Sequence, residues 1–132
     1  MRTVPIGARG SFSIQVERQH LASQFKDAIL PEVFATPMMV LAMENAALNA
    51  IKPYLDPGES AVGTEINVKH IAATPAGLQV RAEAVVSGVY GRRIDFAISA
   101  RDETEEIGRG THIRIIIDIE CLNKRLEAKR RQ

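Results

Sequence analysis

The chain has 132 residues, 45% of them apolar and 25% charged, with a net charge of +1. That length suits one domain with its own core, residues 1–132, and the near-neutral balance gives no footing for a nucleic-acid or acidic partner. The single Cys121 excludes an intramolecular disulfide and a cysteine-rich metal site, and no apolar run reaches signal-peptide or membrane-spanning length, so the expected setting is cytoplasmic.

In chain order, residues 9–18 alternate as a strand with Phe12, Ile14 and Val16 on one face. Residues 20–26 read as a short helix, and 27–35, with Pro31, as a loop. Thr36-Pro37 predicts a helix start, with Thr36 as the capping residue and Pro37 at the first helical position. That helix runs to about Lys52, where Pro53 and then Asp56-Pro57-Gly58 close it. At helical spacing Pro37, Val40, Leu41, Glu44, Ala47, Leu48 and Ile51 form one stripe, which sends the Glu44 carboxylate toward the core. A charge there needs a partner, a raised pKa or a task.

Four strands follow, at residues 60–72, 78–89, 92–101 and 106–119. They are separated by Thr74-Pro75-Ala76-Gly77, Tyr90-Gly91 and Asp102-Glu103-Thr104-Glu105, which are hairpin-length connections and predict a largely antiparallel sheet. In the last strand Ile113, Ile115, Ile117 and Ile119 share one face, with Gly110, His112, Arg114, Ile116 and Asp118 on the other. A final amphipathic helix, 120–131, carries Leu122 and Leu126 and a run of basic side chains that reads as a solvated face. The fold class is therefore α+β, an antiparallel sheet wrapped around one long helix. That helix is apolar around most of its circumference, for which dimerisation is a natural remedy.

Strand parity puts His70 on the face of Ile66 and Val68, with Thr64 and Ala72, so an imidazole and a carboxylate both point inward. They form either a buried structural pair or a site. Thr36 precedes Glu44 by eight residues, about 12 Å of rise and about 80° of rotation, too far for a direct hydrogen bond. A substrate lying along the first half of the helix could meet both, where the helix dipole favours developing negative charge. The three histidines show no metal-ligand spacing, and no glycine-rich phosphate loop follows a strand.

The stretch ATPMMVLAMENAAL, the run Tyr54-Leu55-Asp56-Pro57-Gly58-Glu59, His70 followed by Ala72-Ala73-Thr74-Pro75, and Gly108-Arg109-Gly110-Thr111-His112 together resemble the fluoroacetyl-CoA thioesterase family of hotdog-fold proteins, over about residues 31–119. The resemblance implies an acyl-CoA thioesterase for a short or small acyl group, with Thr36, Glu44 and His70 catalytic. It implies that Gly63 contacts the acyl group and that Arg114 binds substrate. It further implies a homodimer with the site near the subunit interface, open to higher assembly, and no cofactor beyond the CoA of the substrate. The family's aromatic gate is only partly present: loop 27–35 offers Phe34, with Leu30 where a second aromatic would stand, so fluoroacetyl selectivity does not carry over.

In chemical terms, Glu44 could attack the thioester or position a water or the Thr36 hydroxyl, with His70 as general base. The Gly63 N–H is a candidate oxyanion donor. Two other readings share the fold: an acyl-CoA sensor, which would need none of the trio Thr36, Glu44 and His70, and a hydratase, for which no Asp–His pair precedes the long helix.

Overall fold

The computed structural model describes residues 1–131, with Phe25 described by its backbone alone. Strand β1 (Arg9–Gln15) leads through a short 3-10 turn (Arg18–His20) and a one-turn helix α1 (Ala22–Phe25) to the long helix α2 (Thr36–Ile51). Strands β2 (Glu59–His70), β3 (Gln79–Tyr90), β4 (Arg93–Arg101) and β5 (Glu106–Asp118) follow, and α3 (Ile119–Arg130) ends the chain. All strand pairs are antiparallel, in the order β1-β3-β4-β5-β2, and the sheet curls around α2 as the hotdog resemblance implies. No helix among the described residues is long and apolar enough to cross a membrane.

One of the three expected hairpins is not a hairpin. The β2 and β3 strands do not pair, because β2 takes β5 as its neighbour while β3 lies between β1 and β4. The segment after His70 is instead a crossover past the β4–β5 turn. Buried Thr74 anchors it: its carbonyl accepts from the Phe34 N–H at 2.8 Å and its hydroxyl donates to Asp102 Oδ2 at 2.8 Å. A short connection rich in turn residues serves either topology, and burial of Thr74 selects this one.

The side of α2 that meets the sheet carries Met39, Ala42, Met43, Ala46, Ala47, Ala50 and Ile51. Opposite them lie Val80, Ala82, Ala84, Val86, Ile94, Phe96, Ile98, Ile107 and Ile116, all buried. Each fully buried large aliphatic or aromatic side chain contributes about 1.5–3 kcal/mol. The alanines set the distance: a Cβ at Gly10 of β1 would come within 2.3 Å of the Ala46 carbonyl oxygen and the Ala50 nitrogen, so helix and strand touch backbone to backbone. This corrects the expected core stripe. Pro37 and Leu41 are exposed, and the Glu44 side chain is 41% exposed. A helix apolar nearly all round offers two stripes, and the one with small residues wins because it packs closest.

Two further placements bear on the site. The pairing of β2 with β5 slips between Gly63 and Glu65, leaving Thr64 as an extra residue. Parity therefore flips there, so Ala61 and Gly63 face α2 before the bulge and Ile66, Val68 and His70 after it, whereas Thr64 is exposed rather than inward. On β5, His112, Arg114 and Ile116 turn inward and are buried, while Ile113, Ile115 and Ile117 lie half-buried on the outer face. Ile119 begins α3, whose first turn is capped by Asp118 accepting from the Cys121 N–H at 2.9 Å. The basic residues of α3 are exposed.

Candidate active site

Helix α2 begins one residue earlier than the proline rule suggests. Ala35 occupies the N-cap and Thr36 is already helical, so the Thr36 hydroxyl is not used as a cap. It is turned instead to the last residue of β2, where Oγ1 lies 2.8 Å from His70 Nδ1. His70 is half-buried, and burial pushes its pKa below the ordinary histidine value, with the Ala72 backbone opposing and the charge of Lys26 reinforcing the shift. The imidazole is thus held neutral, the form that can accept a proton from Thr36.

This pair opens on a cavity of about 360 Å³ whose walls include Lys26, Leu30, Val33, Phe34 and Ile71. Phe34 is fully buried: its N–H is bonded to Thr74, its backbone bridges Leu21, and its ring meets His20 edge-on at 6.5 Å. It is a fixed wall of the cavity.

Glu44 stands in a different hollow, of about 380 Å³, with Pro37, Leu41, Asn45, Leu48 and Arg114. Its Oε2 lies 3.7 Å from Arg114 Nη1. Arg114 is buried, donates from Nη2 to the Ala61 carbonyl at 2.7 Å, and places Nη1 3.2 Å from His112 Nε2. A Cβ at Gly63 would sit 3.0 Å from Glu44 Oε2, 3.2 Å from His112 Cε1 and 3.5 Å from Arg114 Nη1, so the bare glycine keeps that space open.

The residues expected to act together therefore form two clusters within one protomer. Thr36, His70 and Phe34 border the first cavity and Glu44 and Arg114 the second, while Gly63 meets Glu44 and His112 in an adjoining hollow of about 240 Å³. The expected inward pairing of Glu44 with His70 is corrected: among the described contacts, His70 pairs with Thr36 and Glu44 with Arg114. The physical cause is α2 itself, which separates Thr36 from Glu44 by about two turns. His112 was not among the expected site residues, although its spacing of two from Arg114 on one strand face was a usable signal. No cluster of three metal-ligating side chains occurs among the described residues.

A family model described as the fluoroacetyl-CoA-specific thioesterase, FlK, matches residues 16–120. The chain belongs to the FlK family. It is 49% identical over 102 residues to the fluoroacetyl-CoA thioesterase of Streptantibioticus cattleyicolor, a match spanning 77% of this chain and 73% of that one. A crystal structure of a single-substitution mutant of FlK superimposes with a TM-score of 0.90 at 40% identity, covering 98% of this chain and 99% of that chain. Another FlK mutant, solved in complex with acetyl-CoA, gives a TM-score of 0.90 at 40% identity, covering 95% and 98%. A Thermus thermophilus hypothetical protein of the thioesterase superfamily matches at 28% identity with a TM-score of 0.89, covering 98% and 97%. Within this FlK-family fold, one cluster sets a hydroxyl against an imidazole and the other a carboxylate beside a buried cation.

Proposed function

We propose that this protein hydrolyses acyl-CoA thioesters with a small acyl group to a carboxylate and free CoA. The contact between Thr36 Oγ1 and His70 Nδ1 carries this reading, because it is the arrangement of a nucleophile and its base. His70 takes the proton as the Thr36 oxygen, or a water held beside it, bonds to the thioester carbon. The oxyanion that forms lies near the first turn of α2, whose dipole favours negative charge. Collapse breaks the C–S bond, and the departing CoA thiolate takes the proton from His70 to leave as free CoA. If Thr36 has attacked, water hydrolyses its ester with His70 again as base. Glu44 acts from the second hollow, where a substrate lying along the first half of α2 meets both clusters; Gly63 leaves space beside its carboxylate and Arg114 holds that carboxylate. Phe34 and Leu30 wall an acyl pocket without a pair of gating aromatics, so fluoroacetyl selectivity is not part of the proposal.

The protein acts without a cofactor other than the CoA of its substrate. It works as a homodimer: Pro37 and Leu41 leave an uncovered apolar strip on α2 beside Glu44, and pairing two copies there would close the site. The test is free-thiol release from acetyl-, fluoroacetyl-, propionyl-, butyryl- and phenylacetyl-CoA, with Glu44→Gln as control. Hydrolysis lost in that variant establishes the activity. Binding of CoA esters without turnover would leave an acyl-CoA sensor instead.

A further inference from the structure

The Arg114 side chain is 10% exposed, and a cation so placed requires partners. It has the Ala61 carbonyl on Nη2, and Nη1 is shared between His112 Nε2 at 3.2 Å and Glu44 Oε2 at 3.7 Å. Its Nε has no partner among the described groups.

His112 is 1% exposed, and its two ring nitrogens are both committed. Nδ1 lies 2.8 Å from the Glu65 carbonyl oxygen, which only accepts, so Nδ1 carries the hydrogen. The guanidinium only donates, so Nε2 is bare. Only the neutral Nδ1–H tautomer satisfies both bonds. A protonated ring would turn N–H toward N–H and set two like charges side by side. Burial and the charge of Arg114 work against that form, while the Glu65 carbonyl and Glu44 favour it, and the balance keeps the ring neutral. The charged groups facing the ring are Arg114 from its own strand and Glu44 from α2; β4 contributes the Phe96 ring, stacked at 5.8 Å and 27°.

We infer that His112 is a positioning residue for catalysis, which, by accepting from Arg114, holds the guanidinium beside Glu44 without letting the two close into a tight salt bridge. The inference rests on the reading of Glu44 as a catalytic carboxylate. With one of its two Nη1 hydrogens engaged by His112 and Nη2 held by the Ala61 carbonyl, Arg114 is kept 3.7 Å from the carboxylate and leaves its oxygens available. Without that acceptor the guanidinium is free to close on Glu44 or swing away, and either outcome removes a correctly placed carboxylate.

The experiment compares His112→Ala, His112→Gln, Glu44→Gln and the double variant H112A/E44Q, by steady-state hydrolysis of the best acyl-CoA and by thermal melting. His112→Ala should lower kcat by about ten- to hundredfold while KM moves by less than about threefold. His112→Gln, whose Oε1 can accept from Arg114, should recover most of the loss. In the Glu44→Gln background, His112→Ala should change the residual kcat by less than about twofold, a coupling that general structural damage would not produce. A folded His112→Ala with the parent kcat overturns the inference. So does a folded His112→Gln no better than His112→Ala, or losses that multiply in the double variant. If His112→Ala melts below the assay temperature, His112→Gln decides: a retained kcat supports the inference, and a loss with the fold intact overturns it. Parent-like turnover by Glu44→Gln alone would sink the functional reading of Glu44, a result distinct from any His112 variant.

Discussion

The Thr36 hydroxyl oxygen sits 2.8 Å from Nδ1 of His70 and joins the first turn of α2 to the last residue of β2. A threonine at this point would ordinarily cap the helix, but the N-cap falls on Ala35 and the hydroxyl is released for the imidazole. Removal of either partner should therefore cost turnover and little stability. Thr36→Ala and His70→Ala are each expected to lower kcat by about two orders of magnitude or more, with Thr36→Ser retaining more than Thr36→Ala. Free-thiol release beside a melting curve checks this. Parent-like rates in a folded His70→Ala would remove the base from the mechanism.

The pH profile follows from the same imidazole. Burial lowers the His70 pKa from 6.5, and Lys26 lowers it further against the opposing Ala72 backbone. A general base works when neutral, so kcat/KM should hold as pH falls past 6.5 and decline only below it. Lys26→Gln removes one lowering influence and should move the acid limb toward higher pH. A parent profile with its acid midpoint above 6.5 would contradict this assignment.

Gly63 offers a test of space rather than of charge. Its φ is not in the left-handed region, so the backbone accepts alanine. The new Cβ would lie 3.0 Å from Glu44 Oε2, the end of a flexible side chain that can swing aside. Because the Cβ would also press on the buried His112 ring at 3.2 Å, Gly63→Ala should lower the melting temperature by about 2–4 °C and lose about tenfold or more in kcat as the carboxylate shifts. Equal activity in the folded variant would show that the space beside Glu44 is not used.

Asp102 anchors the crossover. Burial alone would raise its carboxyl pKa, but hydrogen bonds from the Thr104 N–H, the Thr74 hydroxyl, the Thr104 hydroxyl and the Glu105 N–H outweigh it and hold the group down to about 2, against 3.8 when free. A depressed carboxyl stabilises the fold above its unfolded pKa and loses that contribution as pH falls through its folded pKa. The amount is about 2 kcal/mol, fully present above about pH 5 and lost progressively as pH falls toward 2 and below. Urea unfolding across this range should show the decline in the parent and a flatter dependence in Asp102→Asn. Identical slopes in the two would remove Asp102 as its source.

Element order, the antiparallel character of the sheet, and the long helix with its approximate ends are legible in the chain alone, because alternation, helical spacing and Pro–Gly punctuation are local properties. The motifs around Thr36, Glu44, His70 and Gly63 were legible for the same reason. Which stripe of α2 is the core is a tertiary outcome, since the backbone contact of Gly10 with Ala46 and Ala50 brings their side of the helix closer to the sheet than that of Leu41. Tertiary structure decided the β2–β3 crossover, which depends on burial of Thr74 against Asp102. It also decided the partners of the site residues: the bulge at Thr64 turns Gly63 toward Glu44, and β5 brings His112 and Arg114 there from about fifty residues away in the chain. Such choices rest on contacts between distant segments, which periodicity within one segment does not encode.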